Sequence, residues 1–147
     1  NRVQLGIKTP LYMSHGVASK KFIELAGDAA DGLLLPAGKI TVAEKLPEAD
    51  KEKAQLVAYA KAYDERFKAP VSTFGGHGYD SLHLAVKAIA DAGSDKPEAI
   101  RDALEKIKGF AGIGGIFTFT PEDHAGLGPD AFIMLGIEKG DWVIVGQ

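Results

Sequence analysis

The chain has 147 residues, a net charge of −3, no cysteine, and 46% hydrophobic against 25% charged residues. That length supports one domain with a real core, and that balance is the one of an ordinary globular protein. Disulfides, thiolate nucleophiles and thiolate metal sites are excluded, no basic field recruits nucleic acid, and no apolar run approaches a membrane span. The opening NRVQLGIKTP carries no initiator methionine and reads as the interior of a longer sequence, so a fragment or processed product is expected.

TPLYMSHG (9–16) is expected to be a short buried strand, Leu11 to Met13, running into a polar loop of Ser14, His15 and Gly16. SKKFIELAG (19–27) is expected to be a short helix stopped by Gly27, and DGLLLPAG (31–38) a second buried strand broken by Pro36 and Gly38. A mostly polar connection follows. Leu56, Ala60, Tyr63 and Phe67 then fall on one face of a helix from Asp50, the expected N-cap, to Lys68, ended by Ala69 and Pro70.

A second helix is expected over 79–92, with Leu82, Ala85, Val86 and Ile89 as its apolar stripe and Gly93 after its end. A third follows in SDKPEAIRDALEKIKG, with Asp95 and Glu98 at capping-box spacing, Pro97 in the first turn, and Ile100, Ala103, Leu104 and Ile107 inward. GGIFTFTPED (114–123) alternates as a half-buried strand does, and DAFIMLGIEKGDWVIVG holds two apolar runs separated by EKGD, a hairpin. The order of elements implies an α/β fold with an antiparallel edge at its end.

The stretch that invites chemistry is PVSTFGGHGYDS (70–81). As a phosphate loop it fails: Gly76 and Gly78 fit G-x-G, but Ser81 stands where the third glycine belongs and no lysine follows. As a metal site it offers His77, Asp80 and His83 at i, i+3 and i+6. Two of these can converge on an ion, and the third only if the helix starts late. As a nucleophile Ser81 lacks a G-x-S-x-G elbow. The simpler reading is a glycine turn entering a helix, with Asp80 favourable to the helix dipole and Tyr79 a boundary aromatic. Loops 14–17 and 72–79 each carry a histidine, and loops before helices are where ligands are usually met.

LGIKTPLYMSHGVAS…LAGDAADGLLLP, AYDERFKAPVSTFGGHGYDSLHLAVKAIADAGSDKPEAIRDALEKIKGFAGIGGIFTFTPEDH and GPDAFIMLGIEKGDWVIV, taken in order, resemble the C-terminal part of type I periplasmic solute-binding proteins, the leucine/isoleucine/valine-binding group of ABC transporters. The resemblance runs over essentially the whole chain. It implies flavodoxin-like three-layer lobes, truncated here, with a C-terminal antiparallel hairpin. Residues 1–70 and 130–147 are then second-lobe segments, and 71–129 is a segment returning to the first lobe. It implies a non-enzymatic, periplasmic protein without cofactor or metal, whose partners are a small solute and ABC permease subunits, with no nucleic acid.

The implied ligand-contact residues are Ser14, His15, Phe74, His77 and Tyr79. His15 stands where amino-acid-binding members place an acid for the ligand's ammonium, so an aromatic or other organic carboxylate is as well supported as a branched-chain amino acid. The alternative is a small α/β metal-dependent enzyme or metal-binding domain using His77, Asp80 and His83. A chain lacking half of both lobes is further expected to expose apolar faces of the 79–108 helices, to self-associate or swap elements, and to bind solute weakly.

Overall fold

The structure, a computed structural model, describes residues 2–146. Four strands form the main sheet in the order β1 (Leu11–Tyr12), β2 (Leu33–Gly38), β5 (Phe132–Glu138), β6 (Asp141–Ile144). β1 runs parallel to β2, as the intervening α1 (Lys20–Ala26) allows, and the other pairs are antiparallel. β2 alternates: Leu33, Leu35 and Ala37 are buried while Leu34 and Pro36 are half-buried. Pro36 does not break it, contrary to expectation. β1 pairs only as far as Leu34, so on that side no neighbour requires the missing N–H. β1 itself is an exposed edge, not a buried strand.

The closing hairpin forms as expected. Glu138 pairs with Asp141 across Lys139 and Gly140, both at positive φ (50° and 75°), a type I′ turn whose twist suits the strands. Leu135 and Ile137 from β5 and Trp142 from β6 join the β2 residues and Leu56 in the main core.

α2 (Lys53–Phe67) is stopped by Lys68 in the left-handed region ahead of Pro70. Of its expected inward face, Leu56 is fully buried and Phe67 is exposed. Asp50 lies before the helix, where its carboxylate accepts from the Glu52 N–H and pairs with Lys39.

The largest departure is α3, which spans Thr73–Ala92 and so begins six residues before the expected start. The Ser72 hydroxyl accepts from the Gly75 N–H and caps it. The glycine stretch is therefore two helical turns rather than a loop. The register also reverses the expected inside and outside. Thr73, Gly76, Asp80, Leu84 and Ala88 are buried, whereas Leu82, Val86 and Ile89 are 64%, 58% and 41% exposed.

α4 (Pro97–Leu104) starts after Lys96, without the side-chain cap expected of Asp95. Ala103 and Ile107 turn inward. The expected strand over 114–123 shortens to β4 (Ile116–Phe117), paired with β3 (Phe110–Ala111). The turn between them, 112–115, is closed by the Gly112 N–H to the Gly115 carbonyl. Leu84, Ile107 and Phe117 make a second, smaller core. α3 contributes Leu84 to this second core and approaches Ile113 of the main core at Gly76.

Candidate functional site

Three separate segments meet where β1 and β2 end. After β1 the chain passes through Ser14 into a single 3-10 turn, His15–Val17. The first turn of α3 sits against Gly38, the last residue of β2: a Cβ there would lie 3.1 Å from the Thr73 methyl. Gly38 pairs in turn with Phe132, the first residue of β5. In an open α/β sheet the carboxyl ends of the strands are the usual ligand edge.

The side chains brought together are His15, Phe74, His77 and Phe132. The His15 ring centroid lies 5.6 Å from Phe74, 6.4 Å from His77 and 6.1 Å from Phe132. Phe74 and His77 are three residues apart on α3 and share a face. Phe74 is 58% and Phe132 45% exposed, so the cluster is a wall open to solvent rather than a closed cavity. The Nε2 of His15 is buried and has no hydrogen-bond partner among the described residues, which is uncommon enough to mark a site.

Of the sequence-derived residues, Ser14, His15, Phe74 and His77 lie on or next to this wall. Ser14 makes no side-chain cap contact and is exposed. Tyr79 goes elsewhere. Its ring packs at 5.1 Å on Tyr59 and 4.2 Å on His83, facing α2, because five residues turn it well away from Phe74. There it lines a cleft of about 520 Å³ with Tyr59, Tyr63 and Phe67. A further cleft of about 670 Å³ lies between α3 and α4. Phe132 was not singled out in the sequence, since nothing local separates it from other hairpin residues. Its register opposite Gly38 is what brings it to His15.

Asp80 has a different task from the one its position implied. It is 1% exposed, and its two oxygens accept the Ile113 and Gly114 N–H groups, each at 2.7 Å. It therefore holds the 112–115 turn rather than serving the helix dipole. The glycines there are sterically required: a Cβ on Gly112 would sit 2.8 Å from the Asp80 carboxyl, and one on Gly114 2.8 Å from the His77 ring. Gly76 matches them from the helix, where a Cβ would meet Ile113 at 2.7 Å.

The metal and nucleophile readings find no geometry. No group of three His, Asp or Glu side chains among the described residues can hold an ion. Asp80 is fully engaged, and His83 lies against Tyr79. The Ser81 hydroxyl donates to the His77 carbonyl at 2.7 Å. No helix among the described residues is long and apolar enough to cross a membrane.

The family model for periplasmic binding proteins matches residues 4–140. This chain belongs to the periplasmic binding protein family. Among solved structures, Rp1789 of Rhodopseudomonas palustris is 30% identical with a TM-score of 0.87, over 98% of this chain and 43% of that one. An extracellular ligand-binding receptor from Rhodopseudomonas palustris HaA2 is 31% identical, with the same TM-score and the same coverage. At 22% identity and a TM-score of 0.76, a leucine-binding protein from Thermotoga maritima shares the fold, over 98% of this chain and 38% of that one. No curated protein matches the chain. The chain thus spans 43% of the length of the first two of these structures. Its fold is mixed α/β, that of part of a type I periplasmic binding protein. The family is one of binding proteins, not enzymes, and its location is periplasmic or extracellular.

Proposed function

We propose that this chain forms part of the solute-binding component of an ABC importer, working in the periplasm and handing a small organic solute to permease subunits. The solute is a branched-chain amino acid or an aromatic or other organic carboxylate. The supporting observation is the convergence of His15, Phe74, His77 and Phe132 from three segments at the carboxyl ends of β1 and β2. A half-open wall of rings with few polar groups is how small-molecule sites are built.

Ser14, His15, Phe74 and His77 are assigned to ligand contact, with Phe132 added. Tyr79 is left aside because of its contacts with Tyr59 and His83. Residues 71–129 belong to the lobe across the cleft from 1–70 and 130–147. This division is supported by the second core of Leu84, Ile107 and Phe117 within that segment. Because the chain spans 43% of the length of its Rhodopseudomonas palustris relatives, it is expected to bind solute weakly.

A thermal-shift series tests the reading with L-leucine, L-isoleucine, benzoate and 4-hydroxybenzoate at millimolar concentration. At least one is expected to raise the Tm of the chain and to lose that effect in Phe74→Ala. No rise with any of them, or an equal rise in Phe74→Ala, overturns it.

A further inference from the structure

We propose that Asp80 and Gly114 are positioning residues for the solute wall, because together they fix the ring of His77; this rests on the reading of the wall as a solute site. His77 and Asp80 lie three residues apart on α3, so their side chains leave the helix on one side. His77 is half-buried and forms part of the wall, whereas Asp80 is buried at 1% exposure and takes no part in it. What joins the two side chains is the turn 112–115.

Each link is a direct contact. Oδ1 of Asp80 accepts the Ile113 N–H and Oδ2 the Gly114 N–H, both at 2.7 Å. These are charge-assisted bonds inside the protein, and they fix carboxylate and turn against each other. The Gly114 backbone then closes on His77. A Cβ there would lie 2.8 Å from both Nδ1 and Cε1 of the ring and 3.3 Å from Oδ2 of Asp80. The turn therefore covers the Nδ1–Cε1 edge. His15 meets the same ring at 6.4 Å with the planes 69° apart. Packed between the turn and His15, the imidazole is confined in orientation, and Nε2 is the nitrogen left for a solute.

Backbone conformation does not explain the glycine at 114. The positive φ of this turn falls on Gly115, at 139°, and not on Gly114. Alanine's backbone is therefore tolerated at 114, and what excludes its methyl group is the His77 ring. The neighbouring positions serve other contacts. A Cβ on Gly112 would meet Phe117 at 2.7 Å and the Asp80 carboxyl at 2.8 Å, and Ile113 packs on Gly76. Removing the carboxylate leaves the Ile113 and Gly114 N–H groups without an acceptor, so the turn shifts to recover one. The His77 ring then loses its seat.

The test uses the isotope-labelled 147-residue chain, first without solute. One Hα of Gly114 points where the Cβ would, so an NOE to the Hε1 proton of His77 is expected. Asp80→Asn should weaken that NOE and move the His77 imidazole signals more than those of His83. Gly114→Ala keeps the carboxylate and should displace the same ring directly, which decides the matter if Asp80→Asn does not fold. Ile107→Val, a change in the second core, should leave His77 in place. The second stage is titration with benzoate and with L-leucine in a double-mutant cycle. Asp80→Asn should weaken the probe that binds by at least about threefold, and should have no effect in a His77→Ala background. Unmoved His77 signals in folded Asp80→Asn or Gly114→Ala overturn the proposal, as does an affinity loss that persists undiminished in His77→Ala. If the wild-type chain binds neither probe, the solute reading fails, and the solute-free signals still decide whether Asp80 and Gly114 seat the ring.

Discussion

The carboxylate of Asp80 takes the N–H of Gly114 at 2.7 Å, which ties α3 to the turn between β3 and β4. The other oxygen holds Ile113, a residue of the main core, while Phe117 just beyond belongs to the second core. One buried side chain therefore fixes the turn that passes from one core to the other, beside the His77 ring. Asp80→Asn should cost about 1–3 kcal/mol, since one of the two N–H groups loses its acceptor, and Asp80→Ala more. Urea unfolding measures both. Loss below about 0.5 kcal/mol for either would mean that the turn holds without the carboxylate.

Gly76 and Gly78 sit two residues apart in α3 and should respond oppositely to alanine. A Cβ at Gly76 would meet Ile113 at 2.7 Å, whereas nothing lies within 4 Å of one at Gly78. Gly76→Ala should destabilise by about 1–3 kcal/mol through overpacking. Gly78→Ala should stabilise by about 0.5–1 kcal/mol through helix propensity. Paired thermal melts decide, and a similar change in both would contradict the burial of the Gly76 face.

Leu82, Val86 and Ile89 form an exposed apolar stripe on α3, continued by Tyr79 at 44% exposure. A contiguous patch of this kind drives association. The chain is expected to self-associate, and Leu82→Glu should shift it toward monomer without lowering its Tm. Sedimentation velocity across a concentration series reads this. A wild-type chain that stays monomeric throughout contradicts it.

Acid should loosen the packing of the hairpin tip on the helical layer. Hydrogen bonds from Lys20 and Lys45 hold the Asp141 carboxyl well below the usual carboxylate range, with the Trp142 N–H adding to them. A depressed folded-state pKa means that this stabilisation is present above the unfolded value, about 4, and is lost as pH falls below it. Asp141 is half-exposed, so the contribution is about 1 kcal/mol or less. Asp141→Asn should flatten the stability profile between about pH 4 and pH 2 while costing little fold. An unchanged profile would show that the two lysines do not hold the charge.

Much of the fold was legible because its signals are local. The apolar run Leu33–Leu35 marks β2, the polar EKGD between two apolar runs marks the hairpin turn, and Ala69 with Pro70 marks the end of α2. The failures come from tertiary contacts. The glycines of 75–78 read as a loop, but Ser72 caps a helix through them, and Gly76 is small because Ile113 packs on it. The stripe at Leu82, Val86 and Ile89 has the period of a buried face, and periodicity cannot tell which face this chain covers. Of the candidate residues, His15, Phe74 and His77 lie together and Tyr79 faces α2 instead, whereas the place of Phe132 depends on strand register and that of Asp80 on a turn more than thirty residues away.

The central claim is that solute meets the wall of His15, Phe74, His77 and Phe132. Amide chemical-shift mapping of the 147-residue chain with benzoate at millimolar concentration tests it most directly. The predicted shifts cluster at 14–16, 74–77 and 132. Shifts centred instead on Tyr59, Tyr63, Phe67 and Tyr79, in the groove between α2 and α3, would contradict it.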